Sequence, residues 1–550
     1  MKRFAALFLS ALLFGCVLLS GCDKKDGLDH LFRYDIDAPV KNLDPQTVEE
    51  SDTSSLLAIE NLYEGLLRVN EDGKLTEGVA KDYTVSEDGL TYTFSLRKDA
   101  VWTDSLSVRG KSDFEASVTA YDFVFAFQRL FSPQTRSSSA STFFCIRNAR
   151  AVTEGELSVD AVGVQAKDDY TLVITLDYPN VMLPSLLATA PAMPCNEEYF
   201  YDTKGRYGLD VDATPSNGPF YLRTWSYDPY GSSNYLIFRR NSDYEGSRSV
   251  YASGINFFIE KNNAGFLNSF LDNRTDCIAV RGDEAEKLVD MGYEAEKYES
   301  TTWGILFNRN VEPFADAGIR QALASSAGRA SFTTALSGSF TAAKGIVPPE
   351  VSLLDKSFRE YAGNASVPTL TAEEAAALFT QGREGLESKA KLDELRILLP
   401  DTSDHAEAFA YIHQQWQSEL GFFCTAQSLP TAQYWAKLSS GDYDFALVPL
   451  SGGYNSPGAI LSMFRGTVNM YRNGFTDEAY DALIAEAERA SSLSRSADTY
   501  AQAERLLLEQ VVFVPLYHEA EYLVLGNGVS GLQYNPFTKA IAFAEGMFME

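Results

Sequence analysis

The chain has 550 residues, 45% of them hydrophobic and 13% aromatic, which excludes intrinsic disorder and leaves room for roughly two to four domains. Its formal net charge of -29 opposes contact with nucleic acid or anionic lipid headgroups, so neither is expected as a partner of the main body.

Reading from the N-terminus, Lys2 and Arg3 precede an apolar run from Phe4 to Leu19, the order of an export signal. At roughly 16 residues the run lies at the lower edge of the ~17–25 needed to span hydrocarbon, and Asp23-Lys24-Lys25 follow at once. Leu19-Ser20-Gly21-Cys22 resembles the bacterial lipobox. The resemblance implies that the peptide bond before Cys22 is cut and that its thiol takes a diacylglyceryl group. Two acyl chains, at about 0.8 kcal/mol per buried methylene, give a stable anchor where one does not. The expected order is therefore a signal peptide over 1–21 and a tether over 22–30. No second apolar stretch of spanning length follows.

Downstream, alternating apolar and polar residues predict strands at Leu90–Leu96, Tyr170–Leu176 and Tyr235–Phe238. Amphipathic spacing predicts helices at Ala120–Leu130, Ile319–Ala327, Thr371–Thr380, His405–Leu420, Asp477–Ala490 and Ala497–Gln510. Thr119 with Asp122, and Thr371 with Glu374, have capping-box spacing. The stretch from Tyr361 to Leu392, rich in Ala, Glu and Gly, is expected to pack as a surface helix and loop. The class is α/β, with no repeat period and no Pro/Ser linker, which favours lobes that exchange chain segments.

Catalytic chemistry is poorly provided for. Of the four histidines, His405 and His413 stand eight residues apart on one predicted helix, too far for an i, i+4 zinc pair, and are expected to be packing or surface residues. No G-x-S-x-G elbow or Walker A sequence occurs. Gly526–Gly531 satisfies G-x-G-x-x-G but runs into Leu532–Pro536, so it reads as a turn. Carboxylate pairs such as Glu49-Glu50 and Asp442/Asp444 are by default solvated in so acidic a chain. Neither an enzyme, a cofactor nor a metal is indicated. Beyond Cys16 and Cys22, the cysteines are Cys145, Cys195, Cys277 and Cys424; outside the cytoplasm one or two disulfides could form among them.

Longer blocks then become informative. Asn61–Leu67, Gly78–Ala80, Asp88–Lys98, Val101–Asp104 and Thr119–Val124 resemble the first-lobe signature of the oligopeptide/dipeptide solute-binding proteins of ABC transporters. Leu43–Pro45, Ser216–Phe220 before Trp225, Arg240–Tyr244, Phe307-Asn308, Pro313-Phe314, Ile319–Leu323, Gly441–Asp444 and Val514–Tyr517 extend the likeness over residues 31 to 545. The blocks themselves read as scaffold. The resemblance implies a two-lobed, hinge-connected, periplasmic-binding-protein-like α/β fold of type II, with an extra subdomain in the first lobe. Its expected segments are 31–61 (lobe I), 62–181 (extra subdomain), 182–262 (lobe I), 263–510 (lobe II) and 511–550 (return to lobe I).

The same resemblance implies a monomer at the outer face of the cytoplasmic membrane that captures oligopeptides or similar solutes between its lobes and passes them to an ABC permease and its ATPase. A peptide-sensing receptor, or a binder of a sugar or opine, would share the cleft. In peptide-binding members an acidic residue just before a tyrosine holds the ligand's α-amino group; here Gly453 occupies that position before Tyr454, a departure. Glu49 falls where some members place a cleft carboxylate, and Ser139 where some carry a cleft aromatic. Trp303 and Tyr454 are expected to offer apolar or stacking contact, and Asn455 hydrogen bonds.

Overall fold

The computed structural model describes residues 30–549 apart from 71–73, 104–115, 229–233, 261–262, 330–339, 355, 389 and 467–468. The lipidation site expected at Cys22 lies outside the described residues. Among these residues no helix is long and apolar enough to cross a membrane.

Three sheets organise the chain. In the first, His30–Ile36 runs parallel to Ala252–Ile259, which continues antiparallel through Tyr235–Arg240 to Phe220–Ser226. A second, antiparallel sheet has the order Ala80–Val85, Thr91–Leu96, Thr171–Thr175, Val164–Asp168. The predicted alternation is realised there, since Tyr92, Phe94 and Leu96 point inward and Thr91, Thr93 and Ser95 lie nearer the surface. Helix Ala120–Phe131 packs over this sheet, opened by the expected capping box in which the Thr119 amide donates to Asp122 Oδ2 at 2.7 Å.

The largest sheet has the order Cys277–Arg281, Phe513–Leu525, Glu294–Phe307, Phe445–Leu450, Arg396–Pro400, Thr425–Leu429, with Phe340–Ala342 beside Phe513–Leu525. Its helices include Ala317–Ser325, Ser403–Leu420, Glu478–Glu488 and Leu493–Glu509, within one to three residues of expectation at most ends. Within 361–392, helix Ala372–Glu384 packs on Ala317–Ser325 through Ala375, Phe379 and Gly382, where a Cβ on Gly382 would meet Ile319 Cγ1 at 2.5 Å.

Two large apolar cores result. The 511–550 range, expected to belong to the first lobe, is divided between them. Phe513–Leu525 is an interior strand of the large sheet, buried along most of its length even at its polar residues His518 and Glu521, whose side chains are hydrogen-bonded. The chain returns from the end of this strand, where Leu523 and Leu525 and then Val529, Leu532, Ile541 and Phe543 enter the first-lobe core. Asn61 fastens that return: its amide donates to Ile541 O at 2.7 Å and accepts from the Phe543 N–H at 3.0 Å.

The two crossings between sheets meet at Asp276. Its backbone bonds to Arg33 O and accepts from Gly526 N, and its carboxylate takes the Arg33 amide at 2.7 Å and Nη2 at 2.6 Å.

All four described cysteines are free and buried, contrary to the disulfides considered possible. They are dispersed: Cys145 and Cys277 in the first-lobe core, Cys195 in a small cluster behind helix Ala120–Phe131, and Cys424 in the second-lobe core. Burial pushes the thiols of Cys145, Cys195 and Cys424 up to about 12. His405 and His413 are packing residues. The His405 ring lies 3.8 Å from that of Trp303, and His413 Nε2 accepts from the Cys424 amide at 3.3 Å.

Candidate interlobe binding cleft

Between the lobes lies a cleft of about 450 Å³ with three walls. The first-lobe wall comes from helix Thr53–Leu62 (Leu56, Glu60), the Tyr63–Arg68 chain, Thr189-Ala190 and Arg248. The second-lobe wall comes from Tyr298, the Pro349–Ser357 loop and Gly453–Asn455, which follows strand Phe445–Leu450. The returning segment Gln533–Thr538 forms the third.

The scaffold blocks explain the first wall. The Glu64 carboxylate is buried and receives Arg97 Nη2 at 2.8 Å and the Tyr244 hydroxyl at 2.6 Å. Asn217 holds the same residue's backbone, accepting from Glu64 N at 3.0 Å and donating to Glu64 O at 2.8 Å. Gly218 must lack a side chain, because a Cβ would stand 2.7 Å from Leu62 O. Beside this lattice Arg248, also buried, lies 3.7 Å from Glu60. Burial raises the Glu60 carboxyl, and Arg248 opposes the rise.

The third wall is pinned from beneath by Glu521. It accepts from Arg281 Nη2 at 3.0 Å, from Lys539 Nζ at 2.6 Å and from the Tyr534 hydroxyl. Burial alone would raise this carboxyl, but Arg281 and Lys539 outweigh it and hold the group at about 2. Tyr534 in turn meets Tyr298 edge-on at 5.2 Å, joining the return segment to the second lobe.

The expected site residues separate into three groups. Gly453, Tyr454 and Asn455 line the cleft. The Asn455 side chain is committed, however, accepting from Ser352 N at 2.7 Å and donating to Ser352 Oγ at 2.8 Å, so it shapes the wall. Ser139 lines a side pocket of about 40 Å³ that shares Leu56, Thr189, Ala190, Gly453 and Tyr454 with the main cleft. Trp303 does not reach the cleft; it is 5% exposed in the second-lobe core, with Nε1 donating to Glu519 Oε2 at 3.1 Å. Strand register decides this, since Trp303 faces Tyr517 and Pro449 inside the large sheet.

Glu49 is exposed and outside both linings, and its neighbour Glu50 takes the cleft position. An ideal Cβ on Gly453 would come within 2.9 Å of Glu50 Oε2. Glu50 is open to cleft solvent, yet the surrounding wall desolvates it enough to raise its carboxyl, with Glu49 adding to the rise. Glu50, Arg248 and Tyr534 carry no periodicity or motif that would have marked them, since each derives its place from a different segment. Among the described residues no group of three or more His, Cys, Asp and Glu could hold a metal.

Comparison with known proteins agrees with this architecture. The chain is 25% identical over 480 residues to the dipeptide-binding protein DppE of Bacillus subtilis, covering 87% of this chain and 85% of the relative. It is 25% identical over 552 residues to the oligopeptide-binding protein OppA of the same organism, covering 98% and 97%. The substrate-binding domain of an oligopeptide ABC transporter from Bacillus anthracis superposes with a TM-score of 0.74 at 28% identity, covering 95% of this chain and 99% of that one. The fold is thus the two-lobed one of periplasmic solute-binding proteins. Residues 74–472 match the profile described as "Bacterial extracellular solute-binding proteins, family 5 Middle", and the chain belongs to that family.

Proposed function

We propose that this protein, moored by acyl chains on Cys22 at the outer face of the cytoplasmic membrane, captures oligopeptides between its lobes and delivers them to an ABC permease and its ATPase. The observation that carries this reading is the construction of the cleft, whose walls come from both lobes and the crossing segment. A solute there gains contacts on each side only when the lobes approach, so binding free energy is converted into a closed shape that a permease can distinguish. The volume lies within the ~300–1,000 Å³ of small-ligand sites. The relatives named for dipeptides and oligopeptides favour a peptide as the solute. Sequence-tolerant recognition fits a wall in which Asn455 is already occupied by Ser352 and apolar residues such as Leu56, Leu67 and Met193 stand among charged ones such as Glu60, Arg68 and Arg248.

Native mass spectrometry of protein purified from its host should find peptides, recovered chemically intact after long incubation, and deletion should abolish their uptake. Cleaved peptide would establish a hydrolase. Unchanged uptake with a lost response to peptide would establish the sensing alternative. A Cys22→Ala variant should leave the membrane fraction; its retention there would remove the acyl anchor from the account.

A further inference from the structure

The lobes also meet outside the cleft. Beyond strand Thr171–Thr175 of the second sheet the chain turns at Tyr178–Met182, and this tip reaches the other lobe. Met182 is 5% exposed and is the only described first-lobe residue buried in the second-lobe core; Val181 packs against the same core. Tyr178 packs on the first-lobe side. The Arg489 guanidinium, from the end of second-lobe helix Glu478–Glu488, lies over the Tyr178 ring, 4.7 Å from its centroid. The tip is shaped from within its own lobe: Asn180 Oδ1 accepts from the Met182 amide at 2.9 Å, and Asn180 O accepts from the Tyr92 hydroxyl at 3.2 Å. None of Tyr178, Val181, Met182 and Arg489 lines the cleft or its side pocket.

We propose that Tyr178–Met182 is a clasp that holds the lobes together whatever the solute, with Met182 seated in the second lobe and Arg489 closing over Tyr178. Opening the lobes returns Met182 and Val181 to water and parts the guanidinium from the ring; closing buries the first pair and restores the second. Because the clasp residues stand apart from the cleft lining, they favour closure equally with and without a bound solute. Such a contact populates the closed shape before binding and opposes opening after it, so it regulates both entry and release. The clasp itself needs only the two-lobed fold, whereas its part in regulating capture rests on the peptide reading above.

Spin labels on the two lobes would read the distance distribution of protein stripped of solute by unfolding and refolding. Wild type should show a dominant short distance. Met182→Ala should raise the open-to-closed ratio about tenfold to a hundredfold, from the apolar burial lost. Arg489→Gln, at an exposed position where folding is not at stake, should raise it about two- to fivefold. Phe379→Leu loosens the same core where helix Ala372–Glu384 packs on Ala317–Ser325, and should leave the ratio unchanged. An unchanged distribution in Arg489→Gln, or in a folded Met182→Ala protein, would overturn the clasp, and so would an equal shift in Phe379→Leu. Tetrapeptides retained by immobilised protein should leave Met182→Ala faster than wild type by a factor similar to the shift in ratio; equal release would overturn the regulatory role. Retention of no tetrapeptide by wild type would overturn the peptide reading, and the distances would still decide the clasp.

Discussion

Substituting Gly453 by aspartate would, by the family resemblance, restore a carboxylate that holds a ligand's amine, yet the structure predicts a loss. The new Cβ would stand 2.9 Å from Glu50 Oε2, so the end of the Glu50 side chain must shift, and the two carboxylates would settle roughly 5 Å apart. Two like charges at that separation repel by about 3 kcal/mol at an effective dielectric of 20 and by about 1 kcal/mol if the cleft remains water-filled. Since the partners belong to opposite lobes, the penalty falls on closure and should shift the equilibrium toward the open form by about fivefold to a hundredfold. Spin labels placed on the two lobes would report it as a longer mean distance in the ligand-free Gly453→Asp protein at pH 7.5. Gly453→Asn supplies the same bulk without charge and should shift the distance much less. Acidification should narrow the gap between the two variants. Glu50 is already raised by burial and by Glu49, and a second carboxylate raises it further, so one of the pair protonates first and the repulsion disappears. Tyr454, also facing Glu50, is neutral throughout because burial raises its hydroxyl. Identical distances for the Asp and Asn variants at pH 7.5 would refute the reasoning.

Four further outcomes are expected. His518 is fully buried, pairs with Thr302 Oγ1 at 2.9 Å through Nδ1 and accepts from the Lys344 amide at 3.0 Å through Nε2; burial holds its imidazole down at about 4. The unfolded chain takes up this proton from its ordinary 6.5 downward while the folded chain refuses it, so stability should fall by about 3 kcal/mol as pH drops from 6.5 to 4. His518→Asn should flatten that part of a urea-stability profile against pH. Glu504, 1% exposed, accepts from the Ile346 and Val347 amides at 2.7 and 2.9 Å and from Arg359 Nη2 at 2.5 Å. Glu504→Ala leaves the guanidinium and two amides unmatched and should cost about 3–5 kcal/mol in the same assay. Asn61→Ala should speed amide exchange at Phe543, whose N–H it releases, and lower stability by about 1–3 kcal/mol. Because the four described cysteines are free and buried, reductant should leave the melting temperature unchanged and alkylation should require unfolding; a shift on reduction would expose a disulfide.

The elements most legible in the sequence are those whose signals are local. Alternation in Thr91–Leu96 and the capping boxes at Thr119 and Thr371 depend on residues within one strand or one helical turn, and they appear where expected. The family blocks were legible for a related reason. Glu64, Asn217 and Gly218 hold a backbone that tolerates little substitution, so they mark the scaffold without marking the site.

Tertiary structure alone decided which of two adjacent glutamates faces the cleft, that Trp303 packs in a core, and that Phe513–Leu525 belongs to the largest sheet before the chain returns. Periodicity reports that a face is buried and is silent about what buries it. The cleft draws on segments hundreds of residues apart, each short and irregular where it contributes, so no local pattern records that Glu50, Ser139 and Gly453 share one pocket. That meeting is set by how the lobes and their crossing strands are arranged in space, a property of long-range packing.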